Sequence, residues 1–412
     1  MLRPPPAPQP VRRHPAGPPP GDGTRVRGHS VGDGRAPAAN RAAHGVQAAG
    51  GGRRRVGLRV AQVLPVFYRD QLDFKGGGDR YAYQLARALR PYCDVTFFTF
   101  GPRYRESERD GLRHVVLPGG GGNPHNPTPR ALAFAARGFD VVHAHQLRTT
   151  VTSLAAVLRR AVRKPLVVTD LGGGGKSLTF RLRLYRWIDR FVCISDFSKS
   201  LLPVAARSKA VVIKGGIELE RFPYHAGTRA RQVLQVSRVM PHKGMNDLIA
   251  ALGDEVPIVI AGKIADDRYY RDLQKLAAGK QVRFLIDAAD GAILAEYQRS
   301  AVTVAASVYR DMYGGRWPTS ELLGLPLLES MSVGTPVVCT AVGGMPEFVV
   351  EGETGFVVPP NDPATLRERA RQLLDDPARA TRMGRNGHEH VRQYGFDQVA
   401  RQVAAEYARL LD

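Results

Sequence analysis

The chain has 412 residues and a formal net charge of +21, with 43% hydrophobic and 24% charged residues. That length is enough for two α/β domains with separate cores, and the composition is that of a soluble globular protein. No apolar run reaches the roughly 18 residues of a membrane-spanning helix. Cys93, Cys193 and Cys339 are odd in number and lack metal-ligand spacing, which excludes a disulfide scaffold and predicts a reducing, cytoplasmic setting.

Residues 1–55 carry ten Arg against two Asp in a background of Pro, Gly and Ala, without hydrophobic periodicity. Such a segment cannot bury enough apolar surface to offset its ordering entropy. The expectation is a disordered, dispensable extension or a misassigned start. It lacks the apolar core of a signal peptide. No aromatics are interleaved for base stacking, so nucleic acid is not an expected partner.

Order is expected from "VGLRVAQVLPVFY" (56–68), an apolar run suited to a buried strand. "KGGGDRYAYQLARALRPY" follows, three glycines and then Leu and Ala at helical spacing. "DVTFFTFG" (94–101) reads as the next strand, followed by the polar stretch "PRYRESERDGLRH" and the loop "PGGGGNPHNPTPR". Helix–strand pairs in "ALAFAARGFDVVHAHQ", "TSLAAVLRRAVRKPLVVTDLGGGG" and "LTFRLRLYRWIDRFVCISD" complete a first domain over 56–206. Residues 207–230 lack a long helical pattern and read as an interdomain connection. The alternation restarts at "QVLQVSR" and runs through "PIVIAGK", "QVRFLID", "VTVAAS" and "TPVVCTAV", giving a second domain over 231–390. Residues 391–412 are helical in pattern and are expected to pack back on the first domain. Strands alternating with helices mean parallel sheets covered on both faces. The expected class is α/β, two doubly wound domains facing a central cleft, with ligand at the carboxyl ends of the strands.

In "ELLGLPLLES" (321–330), seven uncharged residues separate Glu321 from Glu329. A helix starting near Leu325, with Pro326 in its first turn and Gly334 as its stop, puts Glu321 in the preceding loop and Glu329 about one turn inside. The free N–H groups of Gly324 and Leu325 then make an anion site backed by the helix dipole. Carboxylates repel phosphate but accept paired hydrogen bonds from vicinal hydroxyls, and a sugar nucleotide offers both. Capping and dipole duties on a surface helix fit the same spacing. In "VLQVSRVMPHKG" (233–244), Arg238 and Lys243 follow the first strand of the second domain. There they could neutralise a diphosphate, or be ordinary solvated loop charges.

Taken in order, "KGGGDRYAYQLARAL", "DVVHAHQ", "RFVCISDFSKSLL", "IKGGIELERF", "VSRVMPHKG", "ELLGLPLLESMSVGTPVV", "GGMPEFV" and "EGETGFVVPPNDPATL" form a specific set. On these motifs the chain, over about residues 56–405, resembles the retaining glycosyltransferases of GT-B type, family 4. The resemblance implies two Rossmann-like domains and transfer of a hexose from a nucleoside-diphosphate sugar to a hydroxyl acceptor, with retention. It implies no metal and no separate cofactor, with a UDP-hexose as the favoured donor and a sugar, lipid-linked or small-molecule acceptor. By the same resemblance Glu321 contacts the transferred sugar and Glu329 the ribose hydroxyls. Arg238 and Lys243 hold the diphosphate, with N–H groups near Gly324 and Leu325. Gly77 and Gly78, with Gly76, form a first-domain loop facing it, and Gly216 belongs to the donor-binding set.

Other readings stay open at this stage. "GGGGKS" (172–177) approaches a P-loop, but Asp170 stands where that pattern has its first glycine. His143 and His145 in "HAH" have no third metal ligand at a suitable spacing. One is expected to pack on the sheet and the other, His145, to face the acceptor side of the cleft. A catalytically silent sugar-nucleotide-binding protein and a sugar-nucleotide epimerase are the alternatives. Where most relatives carry Thr-x-His-Gly, this chain has Thr169-Asp170-Leu171-Gly172. Asp170 is expected to add a polar group to the site, or else to cap the following helix. Gly172 and Gly173 are expected to let backbone approach the sugar closely. In "KSLTFRLRLYRWIDR", Arg183, Arg186 and Arg190 recur at helical spacing near Leu182, Tyr185, Trp187 and Ile188. That pattern suits an amphipathic helix packed on its sheet, or one touching anionic membrane at the inner face.

Overall fold

The computed structural model describes residues 57–69, 74, 76–120, 123–129, 132, 137–172 and 178–412. The extension over 1–55 and Gly173 lie outside these residues. The first domain contains β1 (Arg59–Phe67), β2 (Asp94–Gly101), β3 (Arg105–Arg109), β4 (Leu112–Gly120), β5 (Thr128–Pro129), β6 (Val141–His145), β7 (Leu166–Thr169), β8 (Arg190–Cys193) and β9 (Ala210–Val212). Their order is β3-β4-β2-β1-β6-β7-β8-β9, with β5 on β4. The second domain contains β10 (Ala230–Val236), β11 (Ile258–Gly262), β12 (Val282–Ile286), β13 (Ser300–Ala305), β14 (Val337–Thr340) and β15 (Gly355–Val358). These run β12-β11-β10-β13-β14-β15, parallel throughout. Central strands such as β1, with Val60 and Leu64 fully buried, read as continuous apolar runs because helices cover both faces. Each sheet reverses its winding once, between β1 and β6 and between β10 and β13. Loops leaving the carboxyl ends at those points make the ligand crevice of doubly wound folds.

Three expectations change. The polar stretch after β2 holds a strand: β3 pairs antiparallel with β4 through a turn at Asp110-Gly111, both at positive φ (52° and 69°). All five β3 residues are exposed, the charged edge that blocks further strand addition. Residues 210–212, assigned above to the connection, pair with β8 as β9, so the first domain extends to Val212. A three-residue edge strand is too short to show periodicity. The amphipathic helix over 176–190 is not continuous either. A short helix, Leu178–Arg181, ends at Arg183 (φ 53°), a 3₁₀ turn follows at Leu184–Trp187, and Arg190 already belongs to β8.

The chain crosses between domains twice, and the crossings are bonded together. Gly216 N–H donates to the Tyr394 carbonyl at 2.8 Å, and Phe396 N–H to that of Ile217 at 3.2 Å. The final helix, Phe396–Arg409, packs on the first domain. Its Tyr407 hydroxyl meets Gln62 Nε2 at 2.7 Å and His143 Nδ1 at 2.6 Å, and Glu406 pairs with Arg190 at 3.0 Å.

Candidate active site at the facing switch points

In the second domain the loops after β10 and β13 bring Lys243, Ser307 and Glu321 together. Lys243 Nζ ion-pairs with Glu321 Oε1, and Ser307 Oγ donates to the same oxygen at 2.6 Å. Burial alone would push the Glu321 carboxyl upward. The Lys243 charge and hydrogen bond, with Ser307, outweigh it and hold the group below its ordinary value. The result is a carboxylate kept ionised beside an ammonium. Gly244, next to Lys243, has φ 62°, and a Cβ there would lie 1.9 Å from the Ala306 carbonyl oxygen, so only glycine lets the turn pack against the end of β13.

Glu329 lies in the helix Leu325–Ser332. It accepts from the Tyr297 hydroxyl at 2.8 Å, and burial pushes its carboxyl up to about 7. Gly324 (φ 84°) caps that helix with no side chain over its end, since a Cβ would sit 2.8 Å from Met345 Cγ. Arg238 is exposed. Its guanidinium makes no hydrogen bond or ion pair among the described residues, so it stands at the rim of the Lys243–Glu321 cluster rather than within it.

In the first domain Gly77 and Gly78 open the helix Gly77–Ala88, with Gly76 as its N-cap. The expected glycine loop is the first turn of a helix. A Cβ on Gly77 would lie 3.7 Å from Leu325 Cδ2, and one on Gly78 would lie 3.2 Å from Gln146 Nε2. The amino ends of the two helices therefore face one another across the cleft. Two positive dipole ends brought together suit a diphosphate.

Three positions, His145, Gly216 and Asp170, serve differently from the expectation. Both His143 and His145 are fully buried, so His145 does not present its ring to an open cleft. His145 Nε2 meets Gln62 Oε1 at 2.5 Å, His143 Nε2 meets Thr169 Oγ1 at 2.7 Å, and the two rings stack at 4.7 Å. Gly216 (φ 113°) packs on Tyr81, where a Cβ would meet the ring at 2.1 Å. Its contacts are those of the crossing between the domains. Asp170 Oδ1 accepts from Gly172 N–H at 3.2 Å, and burial raises its carboxyl. The group stabilises its own turn instead of capping the helix at Leu178. Gly172 (φ 79°) does stand at the cleft: a Cβ there would lie 3.0 Å from Leu322 Cδ1. Leu171, in the place of the family's histidine, packs on Gly78.

Sequence reasoning missed the clamp between the domains. Ser195 Oγ donates to the Leu322 carbonyl at 2.5 Å. Glu347 accepts from Asp196 N–H at 2.8 Å and Phe197 N–H at 2.7 Å, while Lys214 pairs with Asp196 at 2.8 Å and Glu347 at 2.9 Å. "GGMPEFV" contains Glu347 but gives no hint that its partners are some 150 residues away. Tyr297 and Ser307 left no signal at all. Glu347→Ala leaves two helix N–H groups and Lys214 short of an acceptor and is expected to cost about 1–3 kcal/mol. Thermal unfolding checks this, and an unchanged Tm would refute the clamp.

Two doubly wound domains whose facing switch points present carboxylates, a lysine and two helix amino ends define a glycosyltransferase of the GT-B class. The family description "Glycosyl transferases group 1" matches residues 216–390, and "Glycosyltransferase Family 4" matches residues 75–221. Together the two matches span residues 75–390, and the chain is a group 1 glycosyltransferase. A D-inositol 3-phosphate glycosyltransferase from Corynebacterium efficiens is 32% identical over 192 residues, 43% of each chain. The phosphatidyl-myo-inositol mannosyltransferase of Mycobacterium leprae is 29% identical over 289 residues, 65% of this chain and 73% of that one. The match spans less than half the length of the D-inositol 3-phosphate glycosyltransferases. Among solved structures, sucrose-phosphate synthase from Thermosynechococcus elongatus superposes with TM-score 0.66 at 22% identity, covering 86% of this chain and 99% of that one. Anabaena HepE in complex with UDP and glucose gives 0.67 at 17%, covering 85% and 100%. At these identities the likeness is one of fold.

Proposed function

We propose that the protein is a retaining hexosyltransferase that moves a hexose from a nucleoside-diphosphate sugar to a hydroxyl acceptor. The observation that carries the reading is the pair of helix amino ends, Gly77 facing Leu325, beside the Lys243–Glu321 ion pair. The diphosphate lies between the helix ends, its ribose hydroxyls on Glu329 and its sugar hydroxyls on Glu321. The acceptor hydroxyl attacks the anomeric carbon from the face the diphosphate is vacating, and a leaving phosphate oxygen takes the proton. No protein nucleophile takes part. Lys243, the N–H groups at the helix ends and Arg238 from the rim meet the charge that develops on the leaving group. This reading needs no divalent cation. A UDP-hexose donor is favoured, and the fold neighbour bound to UDP and glucose supports it. The acceptor is a sugar, a lipid-linked group or a small polyol, in keeping with the inositol-derived names of the relatives. We place the protein in the cytoplasm, where its three buried cysteines stay reduced.

A donor panel scored by thermal stabilisation identifies the nucleotide sugar. With it, Glu321→Ala is expected to lower turnover about a hundredfold while nucleoside diphosphate binding stays within a few fold. Glu329→Ala removes a hydrogen-bonding carboxyl group and should weaken nucleotide binding by about tenfold. Normal binding and turnover in both variants would overturn the site. Tight binding with no turnover on any acceptor would mark a sugar-nucleotide-binding protein, and a changed sugar without acceptor an epimerase.

A further inference from the structure

Breaking the helix over 176–190 has a consequence for the surface. The short helix Leu178–Arg181 and the turn Leu184–Trp187 send Leu184 and Ile188 into the core. Their neighbours Leu178, Leu182 and Trp187 are left 49%, 58% and 38% exposed. The adjoining helix Thr150–Val162 completes the patch. Its Ser153 bonds Thr179 at 2.8 Å, and its Arg160 guanidinium lies 5.7 Å from the centre of the Trp187 ring. Val157, between them on the same helical face, is 45% exposed. Arg160, Arg181, Arg183 and Arg186 surround the apolar residues and are themselves exposed. The stretch 148–209 holds thirteen Lys and Arg against three Asp. Two of those acids are already matched, Asp189 by Arg159 at 2.6 Å and Asp196 by Lys214 at 2.8 Å.

We propose that this patch docks on an anionic lipid bilayer, with Leu178, Leu182 and Trp187 entering the headgroup boundary and the arginines meeting lipid phosphates. A cluster of single sign ringing exposed leucines distinguishes lipid from nucleic acid. A nucleic acid rewards stacking aromatics, whereas aliphatic side chains gain only where there is hydrocarbon. Each arginine near such a surface contributes about fivefold in partitioning at low salt. The inference is independent of the reading of the cleft.

The test is co-sedimentation of the full chain with vesicles of pure phosphatidylglycerol and of pure phosphatidylcholine, at low and high salt. Binding is expected on the anionic vesicles alone and should weaken with salt. Brominated lipid should quench tryptophan emission, and Trp187→Phe should abolish that quenching. Leu182→Asp combined with Trp187→Ser is expected to lower partitioning at least about tenfold at unchanged Tm. The arginines of 1–55 remain in that variant, so equal binding by variant and wild type would assign the affinity to the extension and overturn the proposal. No binding at low salt, or unquenched emission, would overturn it too. So would tighter binding of an oligonucleotide that resists Leu182→Asp but is lost when Arg181, Arg183 and Arg186 become Gln.

Discussion

Lys243→Ala is expected to lower turnover by about a hundred- to a thousandfold, the usual cost of removing a preorganised donor from a developing charge. A change in how stability depends on pH should accompany it. Glu321 is largely buried, its side chain 13% exposed, and held below its ordinary value by Lys243. Without the ammonium only burial and Ser307 remain, and the carboxyl should move above its unfolded value. A group raised in the folded state favours folding more as pH falls. Moving from pH about 7 to 5 should therefore help the variant relative to the parent protein. Glu321→Gln added to Lys243→Ala should remove that pH dependence without restoring activity. Turnover and thermal midpoints at the two pH values measure both effects. Normal turnover in Lys243→Ala would return the lysine to the status of a loop charge.

The folded protein is expected to lose stability steeply once pH falls below about 6.5, before most carboxylates titrate. Burial holds His114 and His242 at about 4 and His145 at about 3, and drives His143 well below its ordinary value of 6.5. Each folded value lies below the unfolded one. The stabilising neutral form is thus fully present above the unfolded value and is lost progressively as pH falls toward the folded one. Each net proton taken up on unfolding costs about 1.4 kcal/mol per pH unit. Glu329, raised to about 7, works the other way, and so do Asp170, Asp247 and Glu218, which burial also raises. The histidines outweigh these groups, so a net proton uptake on unfolding is expected near pH about 5, with a loss on the order of a few kcal/mol. Denaturant unfolding at a series of pH values measures it. His145→Gln, which keeps a polar group near Gln62, should flatten the slope by about one proton. A flat profile from pH about 7 to 5 would show that these rings ionise without unfolding.

The buried histidines show where sequence reading ran out. "VVHAH" marks the carboxyl end of a strand at the cleft, and His145 does lie at that end. Its burial depends on Gln62, some 80 residues earlier, and on Tyr407 of the final helix, which closes over the pair. Asp170 is similar. Its position in the loop after β7 was legible, but not that its carboxylate would turn onto Gly172.

By itself the sequence determined two parallel α/β domains and the placing of Lys243, Glu321, Gly324 and Glu329 around strand ends and one helix start. Apolar periodicity, glycine turns and helix caps act within a few residues and need no partner from elsewhere in the chain. Only the tertiary structure decided that Glu347 clamps the helix at Asp196, that Gly216 packs on Tyr81, and that Tyr297 holds one oxygen of Glu329. It also decided that Arg183 interrupts a pattern otherwise suited to a helix, leaving Leu182 and Trp187 outside while Leu184 and Ile188 fill the core. These outcomes turn on burial and on hydrogen bonds between groups far apart in the chain. Their free energies exist only once both partners share one dry space, and a local pattern carries no record of that.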